Sequence, residues 1–180
     1  MSQAPLASLT SPPPADEFAP FYARYVAALP AGDVLATLEA QHRETRDLLE
    51  GFGEEGAAYR YAPGKWSVKE MAGHMADTER LFAYRALCAA RGETGELPGF
   101  EEDAYAAAGR FDGRTLASLL EELAAVRNAT LALYRTFDEE ALARRVVANG
   151  SPVTTRALVW ITAGHELHHQ NVLRERYRTG

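Results

Sequence analysis

The sequence predicts an all-α protein, a four-helix bundle with an extra short N-terminal helix and a tail ahead of it. Three observations predict it. Four amphipathic segments, each about 20 residues long, recur along the chain, which is the size expected of bundle helices. Strand-like runs alternating apolar and polar residues are missing. The chain has 180 residues, enough for one domain and a tail.

The segment 1–15 is rich in Ser, Pro and Ala, and Pro12-Pro13-Pro14 cannot enter a helix interior. It reads as a disordered Pro-rich tail, leaving 16–180 as the bundle domain. A short helix is expected from Asp16 to Leu29, closed by Pro30 and Gly32. The first long helix starts after Asp33 as N-cap and reaches about Phe52, where Gly51 and Gly53 end it. Leu35, Leu38, His42, Thr45, Leu48 and Leu49 share one face of it.

The second long helix has the clearest start. Ser67-Val68-Lys69-Glu70 is a capping box, and the helix it opens runs to about Ala90, before Gly92. A third spans Thr115 to about Phe137 on a leucine-rich face. The fourth begins near Thr154, after Gly150-Ser151-Pro152. Arg144-Arg145-Val146-Val147 is the nearest approach to a strand and is too short to found a sheet. The connections 91–114 and 138–153 are long for a tight bundle and direct attention to one of its ends.

Composition narrows the function. Lys+Arg at 19 against Asp+Glu at 25 gives a net charge of −6, which argues against a nucleic-acid binder. The one cysteine, Cys88, allows neither an internal disulfide nor a thiolate metal cluster. No apolar run approaches the roughly 20 residues that cross a bilayer, and the N-terminus has no secretory pattern. The expectation is a cytoplasmic protein with a small-molecule substrate, bound to neither nucleic acid nor membrane.

Three of five histidines cluster in Gly164-His165-Glu166-Leu167-His168-His169. Residues four apart share a helix face, so His165 and His169 can close on one ion. With His165 at zero on the helical wheel, His169 falls at about +40° and His168 at about −60°, beside an apolar face of Leu158, Ile161 and Val172. His168 therefore flanks the site. His74 lies on the second helix, on a face shared with Met71, Thr78, Leu81 and Arg85. A lone core histidine is ordinarily a satisfied polar residue. Opposite a His-x-x-x-His pair it becomes a candidate third ligand, because three inward imidazoles without a cation would lose hydration with few partners.

His165-Glu166-Leu167-His168-His169 also matches H-E-x-x-H, the zinc-protease signature. The chain ends soon afterwards without a third downstream ligand, which disfavours that reading. His42 faces inward and is not assigned as a ligand. Trp66 and Trp160 read as core anchors. Arg80 and Arg85 could bind an anionic substrate, although helical arginines are more often solvated or paired. Glu121, Glu122 and Arg127 read as a solvated face of the third helix.

Lys65-Trp66-Ser67-Val68-Lys69-Glu70, then Gly73-His74 and Ala76-Asp77-Thr78-Glu79-Arg80, resembles the second-helix start of the DinB/YfiT-like superfamily. The segment from Gly164 to His169 is similar to that family's last-helix motif. The resemblance covers roughly 33–178. It implies a four-helix bundle of unusual connectivity, often a homodimer. It also implies a divalent metal (zinc or nickel first) held by three histidines, here His74, His165 and His169. Relatives include transferases for low-molecular-weight thiols and a mycothiol-dependent maleylpyruvate isomerase.

The function this implies is a metal-dependent thiol S-transferase, with a low-molecular-weight thiol cosubstrate made nucleophilic by the ion. The alternatives are a hydrolase, in which the ion lowers the pKa of water to about 7, and a metal-stabilised binding protein without chemistry. Glu166 and Asp77 are the candidate catalytic or ligand-orienting carboxylates.

Overall fold

The Asp33 carboxylate accepts from the backbone N–H of Leu35 at 2.9 Å and of Ala36 at 3.2 Å, and a helix follows, as the N-cap rule requires. The structure, a computed structural model, describes residues 6–177. Its helices in chain order are α1 (Ala23–Ala27), α2 (Val34–Glu50), α3 (Gly53–Gly56), α4 (Val68–Ala90), α5 (Glu102–Gly109), α6 (Leu116–Tyr134) and α7 (Glu139–Ala143). A hairpin of β1 (Arg145–Ala148) and β2 (Ser151–Thr154) leads directly into α8 (Thr155–Val172). A π-helical turn, Leu173–Tyr177, extends α8.

The four long helices form the expected bundle. Both α6 and α8 pack against α2 and α4, so α2 and α4 stand on one diagonal and α6 and α8 on the other. The chain therefore crosses a diagonal twice, through 51–67 from α2 to α4 and through 135–154 from α6 to α8, whereas the long connection 91–115 joins the neighbours α4 and α6 and carries α5. Leu38, Leu49, Leu119, Leu158 and Ile161 are buried between the helices. Truncating any of them to alanine removes about 2–5 kcal/mol.

The capping box at Ser67 is present in both directions. Glu70 N–H donates to Ser67 Oγ at 3.0 Å, and Ser67 N–H donates to the Glu70 carboxylate at 2.9 Å. Ser67 Oγ also donates to Asp112 at 2.5 Å, tying the start of α4 to the turn before α6. Thr154 caps α8 by accepting from Ala157 N–H at 3.0 Å.

Three expectations differ from the structure. The proposed tail of 1–15 lies partly outside the described residues, but part of 6–15 docks on the bundle domain. Leu9 is buried in the main core, Ser8 donates to Glu139, and Gly32 N–H donates to Thr10 C=O at 2.9 Å. Apolar Leu9 anchors this strap despite the prolines beside it. The helix expected over Asp16–Leu29 is interrupted: two 3₁₀ turns, Ala15–Glu17 and Pro20–Tyr22, precede the short α1, because Pro20 cannot continue a helix begun before it.

The third difference is the sheet. Val146 pairs with Val153 and Arg145 with Thr154 in an antiparallel hairpin. Asn149 (φ 52°) and Gly150 (φ 73°) form its turn, the Asn-Gly pairing that two-residue hairpins favour. Leu97 N–H donates to Val147 C=O at 2.9 Å and holds the 91–101 connection against the hairpin. Among the described residues no helix is long and apolar enough to cross a membrane.

Candidate metal centre

The buried face of α4 carries His74, Thr78, Phe82 and Arg85 at intervals of three or four residues, so they stack along one side. The same spacing puts His165 and His169 on one face of α8. Because α4 and α8 are neighbours in the bundle, the two faces meet. His74 Nε2 lies 3.1 Å from His165 Nε2, and His165 Nε2 lies 3.0 Å from His169 Nε2. One nitrogen of each imidazole lies within 4.8 Å of the other two, and among the described residues no other His, Cys, Asp or Glu group converges this way.

Burial keeps these rings neutral. It lowers the His74 pKa to about 4. It also drives His165 and His169 well below the ordinary imidazole value, with the neighbouring imidazoles adding to the effect. A neutral ring carries one N–H. With that proton on Nδ1, His74 donates towards Thr78 Oγ1 at 3.4 Å and presents its Nε2 lone pair to the cluster.

The donor set fits a cation. His165 Nε2 faces both other Nε2 atoms but offers either one lone pair or one N–H, so it cannot make a full hydrogen bond to each, whereas a cation would satisfy all three. Ligands about 2.0–2.1 Å from a tetrahedral ion stand roughly 3.3 Å apart, near the two separations found here. His169 Nδ1 is buried with no hydrogen-bond partner among the described residues.

Two close contacts set the site's walls. The Trp66 ring lies 4.5 Å from the His74 ring, centroid to centroid. Trp66 is thus half-buried beside a site histidine, whereas Trp160 is the deep core anchor. Gly164 lets α1 approach: a Cβ there would collide with the backbone carbonyl of Tyr25. That approach sets the Tyr25 ring 5.6 Å from the His165 ring and 5.5 Å from the His168 ring. His168 packs outside the cluster, as its wheel position indicated.

The imidazoles open onto a cavity of about 490 Å³. His74 and His165 line it, with aromatic walls from Phe21, Tyr22, Tyr25, Phe82 and Phe100. The hairpin contributes Asn149 and Ser151, and α4 contributes Arg85.

The two candidate carboxylates stand elsewhere. Glu166 points about 100° around α8 from His165, where its carboxylate accepts from Thr45 Oγ1 and from Arg127 Nη2, each at 2.5 Å. Asp77 pairs with Arg80 at 3.2 Å near the surface. Neither lines the cavity: that rotation carries Glu166 away from it, and Asp77, although three residues from His74, is engaged with Arg80.

Arg127 corrects the reading of a solvated face: it is 2% exposed. Its guanidinium binds Glu79 at 2.7 Å, Glu166 at 2.5 Å and the Leu38 carbonyl at 2.6 Å. The signal was present in the sequence. Arg127 continues the inward row of Leu119, Leu123, Leu131 and Tyr134, and the charge obscured the period. His42 lines a small pocket beside Arg127 and Glu79, away from the three imidazoles.

Fold and site together define a helical-bundle protein with a buried three-histidine cluster able to hold a divalent metal ion. The chain belongs to the DinB superfamily, whose family model matches residues 37–173. No curated protein matches the sequence at a significant level. Among solved structures it is similar to YfiT from Bacillus subtilis, described as a probable metal-dependent hydrolase with an unusual four-helix bundle topology. That match has a TM-score of 0.69 and 19% identity, covering 79% of this chain and 82% of that one. A DinB-like protein of Bacillus subtilis, YjoA, matches with a TM-score of 0.58 and 22% identity over 81% of this chain and 90% of that one. A mycothiol-dependent maleylpyruvate isomerase matches at 0.67 and 14%, over 82% of this chain and 62% of that one. At these identities the likeness is one of fold.

Proposed function

We propose that the protein is a metal-dependent enzyme in which His74, His165 and His169 hold a divalent cation and a low-molecular-weight thiol is transferred to an electrophile. One observation carries the reading: three neutral imidazoles converge, and two of them, His74 and His165, line the wall of a roomy cavity instead of being sealed in the core. When bound, the cation would supply the positive charge that lowers a thiol's pKa towards neutrality.

The chain's own residues set the surroundings. Phe82 and Tyr25 flank His165 and exclude water, which strengthens electrostatic interactions inside the site. Thr78 fixes the His74 ring. Glu166 acts through packing: anchored to Thr45 and Arg127, it sets the rotation of α8 and with it the direction of His165. In the transfer the thiol proton leaves to solvent, the sulfur lone pair forms a C–S bond, and the electrophile's leaving group departs with the old bonding pair.

Hydrolysis is the second reading, supported by the fold shared with YfiT. One assay separates the two. Metal-loaded protein is incubated with monobromobimane alone and with glutathione, bacillithiol or mycothiol. Transfer predicts turnover only when a thiol is present, with bromide released in step with thioether formed. A rate independent of every thiol would overturn the transferase reading.

A further inference from the structure

The cavity holds a charge that the three-histidine chemistry leaves unused. Arg85 is 4% exposed. Among the described residues its one hydrogen bond is donated by Nη2 to the Pro98 carbonyl at 2.8 Å. Among the described residues no carboxylate lies within ion-pair distance of it. A guanidinium carries several N–H donors and stays charged, so a single neutral acceptor leaves most of those donors without a protein partner and open to the cavity. The contrast with Arg127 is direct: equally buried, that residue holds two carboxylates and a carbonyl.

Arg85 lines the same cavity as His74 and His165. Eleven residues separate Arg85 from His74 on α4, about 16 Å along the helix axis. The imidazoles therefore stand at one end of the cavity and the guanidinium towards the other. Asn149 and Ser151 also line it, from the hairpin, adding neutral polar groups, and Phe82 and Phe100 add apolar walls. Glu101 and Glu102 are also on the lining, so a second negative charge on the ligand would be opposed.

We infer that Arg85 is an anchoring residue for the carboxylate of an elongated, largely apolar monoanionic substrate, whose far end reaches the three histidines. Guanidinium and carboxylate match as a two-pronged pair. This rests on the functional reading above only in placing chemistry at the histidine end; the carboxylate preference itself needs no metal.

The test is calorimetric titration of the full chain, metal-loaded and chelator-treated, with three probes of equal length: phenylhexanoate, phenylhexanamide and phenylbutyl phosphate. A hydrogen-bonded charge pair predicts that wild type binds the carboxylate about tenfold or more tighter than the amide, and tighter than the phosphate. Arg85→Met should bind carboxylate and amide alike while keeping its metal content. Arg85→Lys, which keeps the charge but loses the two-pronged geometry, should retain a reduced preference, and it carries the test if the Met variant does not fold. Equal binding of carboxylate and amide by wild type, absence of binding by both, or a preference for the phosphate would each overturn the inference. A carboxylate preference in protein that binds no metal would sustain Arg85's role and refute the metal centre, so the two failures are distinguishable.

Discussion

His165 Nε2 lies 3.1 Å from His74 Nε2, although 91 residues separate them in the chain. That contact exists because α4 and α8 are adjacent in the bundle and each turns its histidine face to the other. The same register puts Gly164 against Tyr25 and Glu166 against Arg127. One rotation of α8 thus serves the cluster, the cavity wall and the ionic core.

Gly164→Ala should wedge α1 away from α8, because the new methyl group meets the Tyr25 backbone and not a movable side-chain tip. Overpacking of this kind costs about 1–3 kcal/mol. In a chain of 180 residues that lowers the midpoint of thermal unfolding by roughly 2–4 °C per kcal/mol, measurable by calorimetry. An unchanged midpoint would mean that α1 sits less tightly than described.

Arg127→Met should be among the most damaging single changes. It leaves Glu79 and Glu166 buried without their shared cation, a loss of about 3–5 kcal/mol. Adding Glu79→Gln and Glu166→Gln should restore much of it, since the remaining groups are neutral. Urea unfolding of the single and triple variants measures both. Equal stability of wild type and the single variant would refute the ionic core.

Acid should loosen the N-terminal strap. Burial alone would raise the Glu17 carboxyl, yet bonds from Arg156 and Thr154 hold it below its ordinary value near 4.5. A depressed folded-state pKa contributes stability that is present above the unfolded value and lost as pH falls through the folded one. Wild type should therefore lose stability relative to Glu17→Gln as pH drops below about 4.5 and match its slope near neutrality. Thermal unfolding followed from pH 3 to pH 7 shows this; parallel curves throughout would contradict it.

The long helices were legible because their start signals are local. Asp33, Ser67, Thr115 and Thr154 each accept a backbone N–H in the first turn that follows. The histidine cluster was legible because its spacing on α4 and α8 is helical. Arg127 sits in the inward row of α6, but its charge masked that period, and the Glu79 and Glu166 that pair it arrive from two other helices, which no local pattern announces. Asn149-Gly150 was legible in principle, but the flanking strands are four residues each and one carries Pro152. Leu9 shows a further limit: one apolar residue can dock a segment whose composition otherwise reads as tail.

The account turns on whether the three imidazoles share an ion, and metal content by mass spectrometry measures that directly. Wild type, His74→Ala and His169→Ala are loaded with zinc or nickel, freed of excess and counted. The prediction is one ion per chain in wild type and most of it gone from each variant, with helical content retained. Wild type that holds no metal, or variants that keep a full equivalent, would contradict the central claim.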